Sequence, residues 1–327
     1  MKMQAIEIQN PGKHGSLHVV SRPRPKPGKG EILIHVAASG INRADIFQLQ
    51  GLYPPPPGAS DIPGMEVSGT ITAMGEDVTG LHTGMQVCAL LEGGGYAEYA
   101  VASAALTLPV PANVPLIHAA ALPEACFTVW KNLFLLGKLH PEENVLIHAG
   151  ASGIGTTAIQ IASALGSNVI ATASTPEKQE ICKSLGAIAT CTYEDDYREV
   201  LQNTLPKAKG LDVILDSLGT PYLQKNLECL NYKGRLIVIA LLNGSKGEIA
   251  MGSVLLKNLS IVGSTLRSSS KEEKAFISHE VIKNLWPLYA HGRVMPVVDS
   301  TFPASDASLA FQRMQERHHT GKILLKW

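Results

Sequence analysis

The residues that most directly indicate chemistry form a glycine-rich turn, Gly150–Gly155, between an apolar strand-like run and a helical segment. Backbone N–H groups at a helix N-terminus bind pyrophosphate, and the phosphate reaches them only where the preceding residues lack large side chains. The usual G-x-G-x-x-G spacing would place its middle glycine at position 152, which is Ser152 here. The turn residues predicted to contact a dinucleotide are Gly150, Ser152, Gly153, Ile154 and Gly155.

The residues after the next strand-like run indicate which dinucleotide would bind. A site for NAD normally offers Asp or Glu about twenty residues further on, where it bonds the ribose 2′-OH. In this chain the run Asn168–Ala173 ends in Ser174, and Lys178 follows one helical turn later. A hydroxyl and an ammonium suit a 2′-phosphate, so the pattern favours NADPH. Glu177 argues the other way, although Pro176 at the start of the helix would turn it from the strand tip, and Lys178 could simply be a solvated helix residue.

The elements around the turn distinguish a dinucleotide site from an ordinary strand-to-helix loop. Apolar strand-like runs begin near residues 144, 168, 188, 211, 235 and 259, with helix-period segments in most of the gaps. A strand roughly every twenty residues is the rhythm of a doubly wound parallel sheet, and the glycine-rich turn follows the first strand. The fold class predicted for residues 125–267 is therefore an α/β Rossmann domain.

The remainder of the chain has a different texture. Residues 1–124 are rich in Gly and Pro and contain short β-type runs, with one short helix predicted after Asn42, where Asp45 completes a capping pair. Residues 268–327 are too few to bury a core of their own. We therefore expect them to fold back on residues 1–124 as one β-rich domain that flanks the Rossmann domain.

Composition excludes several classes of partner. Lys+Arg and Asp+Glu both number 28, so no basic excess attracts nucleic acid or an anionic membrane surface. Gly, Pro or charge interrupts every apolar run before it reaches the length of a membrane span. The five cysteines form no Cys-x-x-Cys pair and are odd in number, which argues against a disulfide scaffold. These features predict a cytoplasmic protein with a small-molecule substrate.

Motifs along the whole chain resemble the quinone oxidoreductase (zeta-crystallin) branch of the medium-chain dehydrogenase/reductase superfamily. Further segments resemble the tumour-protein-inducible NADPH quinone oxidoreductases within that branch. The segments that carry the broader likeness are 42–45, 51–59, 64–69 and 147–153, and those that carry the narrower one are 90–95, 123–125 and 266–268. The resemblance implies a GroES-like catalytic domain and a Rossmann domain, with NADPH and substrate in a cleft between them.

The resemblance also implies that the protein binds no zinc. Zinc alcohol dehydrogenases of the superfamily carry Cys, His and Cys at the positions that hold Asn42, Met65 and Glu124 here. A four-cysteine structural lobe is absent too, since Cys88 is the only cysteine before position 125. Among the eleven histidines, His318 and His319 are adjacent rather than at i,i+4 spacing, and His14 and His18 lie in a predicted turn and strand, so we expect no other metal site.

The family's site residues can be placed on this sequence one position at a time. The resemblance puts Asn42 and Tyr53 beside the nicotinamide and its ribose as catalytic residues. The other residues implied to contact the cofactor are Thr128, Ser174, Thr175, Lys178, Tyr193, Leu241, Leu242, Leu266 and Arg267. Four of these residues also have a plainer interpretation. Asn42 could be only a helix cap and Tyr53 only a turn residue packed on prolines, while Thr128 could be a buried helix hydroxyl and Arg267 a surface residue.

Three functions remain open at this stage. Without a Lewis acid to stabilise an alkoxide, hydride delivery suits an acceptor that is already electrophilic, and NADPH-dependent reduction of quinones is the leading prediction. Reduction of an alkenal or enone double bond needs the same geometry and is the alternative. A non-enzymatic NADPH- or RNA-binding role, known among zeta-crystallin relatives, fits the neutral charge poorly. Family members pair Rossmann sheet edges, so we also expect a homodimer.

Overall fold

The computed structural model describes residues 1–205 and 210–327. They divide into two compact units. We call Thr128–Ser269 the central unit, and Met1–Phe127 together with Ser270–Trp327 the flanking unit.

The described residues contain the following strands and helices in chain order. The strands are β1 (Lys2–Gln9), β2 (Ser16–Pro23), β3 (Glu31–Ile41), β4 (Glu66–Met74), β5 (Gln86–Leu90), β6 (Tyr99–Ser103), β7 (Thr107–Pro109), β8 (Asn144–Ile147), β9 (Asn168–Thr172), β10 (Ala189–Cys191), β11 (Leu211–Asp216), β12 (Leu230–Val238), β13 (Ser260–Gly263), β14 (Val298–Pro303) and β15 (Lys322–Lys326). The helices are α1 (Arg43–Leu49), α2 (Pro123–Val129), α3 (Gly153–Ala164), α4 (Pro176–Ser184), α5 (Tyr197–Thr204), α6 (Leu223–Cys229), α7 (Met251–Lys257), α8 (Lys271–Asn284), α9 (Trp286–Ala290) and α10 (Ala307–Gln315).

The described residues of the central unit form a six-stranded parallel sheet in the order β10-β9-β8-β11-β12-β13. Counted within the unit, this is the 3-2-1-4-5-6 order of a Rossmann fold, which confirms the prediction. Strands β8 and β11 are the pair where the order reverses, and their apolar residues are fully buried, as expected of strands covered on both faces. Ligands of such sheets bind beyond the carboxyl ends of the strands at this reversal.

In the flanking unit the described residues form a seven-stranded sheet in which β15 pairs antiparallel with β3. The end of the chain therefore completes the N-terminal sheet, and the predicted GroES-like β-rich fold is confirmed. Because Ile323 pairs with Ile41, the first residue of β15, Lys322, lies level with Asn42, the residue after β3. A separate hairpin, β1-β2, packs Met3, Ala5 and Ile6 into the core of this unit.

The structure differs from the predicted elements at one helix and one strand. The helix predicted over 271–291 ends at Asn284, and a new helix α9 begins at Trp286 with Pro287 in its first turn, where a proline's missing N–H is tolerated. Strand β12 begins five residues before the predicted 235. None of the helices in residues 1–205 and 210–327 has both the length and the apolar character needed to cross a membrane.

Candidate functional site

The glycine-rich turn leaves β8 through a left-handed residue and enters α3 through a capped N-terminus. Ala149 has φ +53°, and the N–H of Gly150 donates to Thr172 O at 2.8 Å, which ties the turn to β9. Ser152 is the N-cap of α3, and its Oγ accepts from the N–H of Gly155 at 3.0 Å. The serine that replaces the middle glycine thus satisfies one helix N–H and leaves the first N–H groups of α3 for an anion.

Glycine is required at both ends of this turn by close approach. A Cβ on Gly150 would lie 2.9 Å from both Ala171 Cβ and Cys182 Sγ. A Cβ on Gly155 would meet Ala149 O and lie 2.7 Å from Gly150 Cα. Side chains at these positions would fill the space under the turn and push its backbone out of shape, so the small residues are a structural condition of the anion-binding conformation.

The predicted 2′-phosphate residues follow the second and third strands of the central unit. Ser174 is exposed after β9, and Thr175 caps α4 by accepting from the N–H of Lys178 at 3.3 Å. A hydrogen bond from Thr175 lowers the pKa of Glu177, so this exposed carboxylate is held near the cap. Tyr193 lies just after β10 and is half-buried. The parallel sheet therefore places all these positions at its carboxyl edge, as it does the glycine-rich turn.

The remaining predicted cofactor contacts of the central unit lie on later loops and on α2. Leu241 and Leu242 follow β12, and the N–H of Leu242 donates to Ser217 O at 3.2 Å, which ties their loop to the one after β11. Leu266 is buried and Arg267 half-buried in the turn after β13. Thr128, also buried, lies near the end of α2 where a π-helical stretch begins.

Asn42 belongs to a buried polar cluster of the flanking unit. Lys322 Nζ donates to Glu66 Oε1 at 2.5 Å and to Asn42 Oδ1 at 2.6 Å. Asn42 Nδ2 in turn donates to Glu66 Oε1 at 2.9 Å. Glu66 has no exposed surface, so the ion pair is shielded from water and its two charges depend on each other. The cluster fixes both ends of the Asn42 amide.

A second carboxylate lies on the other side of Asn42. The N–H of Asn42 donates to Asp45 Oδ2 at 2.8 Å, which confirms the predicted capping pair, and the Tyr96 hydroxyl donates to the same oxygen at 2.7 Å. Burial raises the pKa of Asp45 to about 6, although these two hydrogen bonds and the charge of Lys322 work in the opposite direction. Tyr53 lies between α1 and β4 and is half-buried.

Comparison with known proteins assigns a family to this arrangement. The alcohol dehydrogenase GroES-like domain matches residues 28–112, and the zinc-binding dehydrogenase family matches residues 153–280. The quinone oxidoreductase of Mus musculus is 31% identical over 307 residues, which cover 92% of this chain and 90% of that protein. The chain belongs to the medium-chain dehydrogenase/reductase superfamily. Its predicted resemblance to the quinone oxidoreductase branch is confirmed, and the narrower likeness to the tumour-protein-inducible group stays a prediction.

Other members of the superfamily show how widely this fold is used. The synaptic vesicle membrane protein VAT-1 homolog of Danio rerio is 31% identical over 323 residues, which are 94% of this chain and 66% of that longer protein. Among solved structures, the Escherichia coli quinone oxidoreductase complexed with NADPH has a TM-score of 0.83 at 27% identity, over 99% of this chain and 100% of that one. The CurK enoyl reductase has a TM-score of 0.85 at 28% identity, over 99% of each chain.

In this medium-chain dehydrogenase/reductase, the three positions compared with a catalytic zinc site hold Asn42, Met65 and Glu124. The Asn42 amide is bonded within the buried cluster, and the backbone N–H of Glu124 donates to Glu66 Oε2 at 2.9 Å. Within residues 1–205 and 210–327, no group of three or more His, Cys, Asp or Glu is placed to hold a metal ion. The charged groups of this buried polar cluster are thus the Lys322 ammonium and the Glu66 carboxylate.

Sequence reasoning did not single out the buried ionisable residues that organise both units of this superfamily member. Glu66 and Lys322 are the first residues of β4 and β15, and His148 directly follows β8. His148 and Lys322 border short apolar runs, and Glu66 begins a strand whose first four residues are buried. An ionisable residue at such a place is buried with the strand and needs a partner, so this pattern is the signal that could have identified them.

Asp45 makes the stability of the flanking unit depend on pH. Its folded pKa of about 6 exceeds the ordinary 3.8, so the folded state binds more protons and stability falls as pH rises from about 4 to about 6. Asparagine does not ionise, so Asp45→Asn avoids this loss of stability. Between about pH 4 and about pH 6 we expect its free energy of unfolding to increase by up to about 3 kcal/mol relative to that of wild type. Urea unfolding at several pH values measures the difference.

Asp299→Asn is the contrasting control for this prediction. Burial would raise the pKa of Asp299, but hydrogen bonds from Arg313 and the N–H of Thr320 outweigh it and lower the pKa. Its carboxylate therefore stabilises the fold above its ordinary pKa, and the Asn variant should lose stability relative to wild type as pH rises. Identical pH slopes for both variants would contradict the assignment of the Asp45 effect.

Proposed function

We propose that this protein reduces quinones with NADPH and without a metal ion. The observation that carries the proposal is the glycine-rich turn itself, with its capped helix and the close approach at Gly150 and Gly155. This turn fits a pyrophosphate, because the close packing at Gly150 and Gly155 holds the first N–H groups of α3 at the carboxyl edge of the sheet, and a helix N-terminus binds anions. The Escherichia coli quinone oxidoreductase, whose structure contains NADPH, shares the fold over nearly the full length.

The choice of NADPH over NADH rests on the end of β9. Ser174 stands where a carboxylate would select NAD, and Glu177, three residues further on, is engaged by Thr175. Lys178 on the first turn of α4 supplies a positive charge that suits a 2′-phosphate. We propose that Ser174, Thr175, Lys178 and Tyr193 hold this phosphate.

In the proposed mechanism the chain binds and orients, and the dihydronicotinamide supplies the hydride when NADPH is bound. The N-terminus of α3 holds the pyrophosphate. The loops with Leu241, Leu242, Leu266 and Arg267, together with Thr128, surround the nicotinamide end and limit its contact with water. Asn42 and Tyr53 orient the nicotinamide and its ribose, and the buried cluster keeps the Asn42 amide in one orientation.

The absence of a metal from the mechanism is supported by the hydrogen bonds of the Asn42 cluster. Lys322 places an ammonium 2.6 Å from Asn42 Oδ1, at one of the positions where a zinc ligand would be needed. The Asn42 amide also donates to Glu66, whose carboxylate is paired with Lys322, so both groups are already engaged where a divalent cation would need ligands. An acceptor that needs no Lewis acid follows, and a quinone is such an acceptor. One equivalent of tightly bound zinc per chain in elemental analysis would refute this part.

Enoyl reduction is the second candidate, and the similarity to the CurK enoyl reductase favours it. Both reactions take a hydride in the same geometry and differ in the shape of the acceptor. The deciding experiment follows NADPH oxidation with 1,2-naphthoquinone, with 9,10-phenanthrenequinone and with an enone under the same conditions. We expect the quinones to be reduced faster. A preference for the enone would select the second candidate, and NADPH binding without any reduction would refute both.

Lys178→Glu tests the proposed 2′-phosphate contact. The substitution replaces a favourable charge by a repulsive one, so we expect the Kd for NADPH to rise about tenfold or more while the Kd for NADH changes little. Lys183→Glu is the matched control, because Lys183 lies on the same helix and is paired with Glu180 at 2.7 Å. Titration by nicotinamide fluorescence measures both cofactors. Equal losses for NADPH and NADH would show that Lys178 does not meet the phosphate.

We also propose that the protein is a homodimer that pairs through the β13 edge. Strand β13 ends the central sheet in the described chain, and Ile261 on it is 42% exposed. The adjoining helix α7 exposes Leu255 (75%) and Leu256 (80%). An uncovered strand edge beside exposed leucines is typical of a surface that pairs with another copy.

Leu256→Lys should therefore convert the dimer into a monomer, because a buried lysine in the interface would lack a partner. Sedimentation velocity measures the change. Leu309→Lys, at a leucine of the flanking unit that is 55% exposed, is the control and should leave the dimer intact. A monomeric wild-type protein would end the proposal.

The proposed location is the cytoplasm. All five cysteines are free and buried, so none forms a disulfide. Free thiols are typical of proteins from reducing compartments, which supports this location.

A further inference from the structure

A buried chain of four side chains lies beneath the proposed dinucleotide site and has no part in the mechanism so far. It joins His148, Thr172, Asn226 and Asp216, all buried in the central unit. Three of these are level with one another, because the registers Ile147↔Ala171 and Ile147↔Leu215 place His148, Thr172 and Asp216 at the same height across β9, β8 and β11. This chain of hydrogen-bonded side chains therefore crosses the place where the strand order of the sheet reverses, and ligands of this fold bind there.

The hydrogen bonds of this chain run in one direction. Asn226 Nδ2 donates to Asp216 Oδ2 at 3.3 Å, so its carbonyl oxygen faces His148 Nε2 at 2.9 Å. Nε2 must then carry the proton, which leaves Nδ1 to accept from the Thr172 hydroxyl at 3.0 Å. Thr172 Oγ1 in turn accepts from the N–H of Ala149 at 3.3 Å. Burial lowers the pKa of His148, in keeping with this neutral ring.

One end of the chain holds the strained start of the glycine-rich turn. Ala149 has φ +53°, a left-handed conformation that costs a residue with a Cβ about 1 kcal/mol. Such a residue keeps its conformation only where neighbouring contacts hold it. The Thr172 hydroxyl is such a contact, and the Thr172 carbonyl receives the next N–H, that of Gly150.

The other end holds the loop that supports the nicotinamide side of the site. Asp216 Oδ1 accepts from the N–H groups of Leu218 and Gly219 at 2.7 and 3.1 Å. This loop then receives the N–H of Leu242 on Ser217 O, and the N–H of the next residue on Leu218 O. The single chain of side chains thus connects the phosphate turn with the segment that carries Leu242.

We propose that His148 is a positioning residue that sets the relative position of the phosphate turn and the Leu242 segment, through Thr172 on one side and Asp216 on the other. The inference rests on the proposed function, since both segments are assigned to the dinucleotide there. His148 touches neither cofactor nor acceptor in this role. Its neutral ring with a proton on Nε2 is the one form that donates to Asn226 and accepts from Thr172 at once.

Thr172→Val and Thr172→Ser form the test. Valine keeps the shape of threonine but removes the hydroxyl, whereas serine keeps the hydroxyl. We expect Thr172→Val to raise the Kd and KM for NADPH about tenfold with little change in kcat, and Thr172→Ser to bind NADPH nearly as wild type. Without cofactor, amide hydrogen exchange over 149–155 should be faster in Thr172→Val alone. Equal behaviour of the two variants, or unchanged exchange and affinity in Thr172→Val, would overturn the proposal.

His148→Asn provides a second measurement should Thr172→Val fail to fold. Its amide oxygen can replace Nδ1 as the acceptor for Thr172, but the shorter side chain does not reach Asn226. Exchange should then increase over 217–219 and stay slow over 149–155, and the opposite pattern would refute the directed chain. If wild-type protein does not bind NADPH, the proposed function fails, while exchange without cofactor still decides whether the chain holds the two segments.

Discussion

Gly155→Ala is expected to abolish measurable NADPH binding and to lower the free energy of unfolding by about 1–3 kcal/mol. The added methyl would meet Ala149 O and lie 2.7 Å from Gly150 Cα, and both are backbone atoms that cannot rotate away. The turn must therefore shift, and the N–H groups of α3 shift with it. Since the proposed site binds the pyrophosphate through those groups, a displacement of about 1 Å should remove most of the binding energy. Nicotinamide fluorescence and urea unfolding measure the two effects.

Gly252→Ala is the control for the added methyl group. Gly252 lies in α7, and none of the described residues comes within 4 Å of a Cβ built there. Its φ is not positive, so alanine should leave NADPH binding unchanged and raise helix stability by up to about 1 kcal/mol. Retained NADPH affinity in Gly155→Ala would mean that the turn does not bind the pyrophosphate.

Lys322→Met should be the most destabilising single change among the charged residues of the flanking unit. It leaves the Glu66 carboxylate fully buried without its ammonium, which costs about 3–5 kcal/mol. It also removes the donor to Asn42 Oδ1, so the amide loses its fixed orientation and the kcat for quinone should fall. Urea unfolding and steady-state kinetics measure these outcomes.

Two further variants separate the ion pair from the loss of a lysine side chain. Lys326→Met changes an exposed lysine on the same strand and should have little effect. The double variant Glu66→Gln with Lys322→Met removes both charges, and we expect it to be about 1–3 kcal/mol more stable than Lys322→Met alone. A double variant as unstable as the sum of its two single variants would show that the charges do not depend on each other.

Most of the central sheet could be predicted because its strands are short, apolar and buried on both faces. Strands β8, β9 and β11 begin at the predicted residues. Strand β12 begins earlier than predicted. Asn231 and Lys233, the latter with φ +61°, interrupt the apolar pattern of its first residues and conceal the start of the strand. The split between α8 and α9 is a local effect of Pro287 that a continuous helical period conceals.

Some parts of the candidate site could likewise be predicted from the sequence, and others could not. The glycine-rich turn and the Asn42–Asp45 cap are made by residues within a few positions of one another, so their spacing alone predicts them. Ser152 is the exception: as a departure from the glycine pattern it says little, and the structure shows it to be the cap of α3.

Residue spacing thus determined the Rossmann rhythm and the turn, since these depend on neighbours along the chain, and the groups proposed to meet a 2′-phosphate were chosen from the same spacing. The pairing of Lys322 with Glu66 and Asn42, and of His148 with Thr172 and Asn226, depended on the folded sheets. Strand register brings residues hundreds of positions apart to the same height, and burial then makes every polar atom require a partner. No local pattern records which distant residue that partner will be.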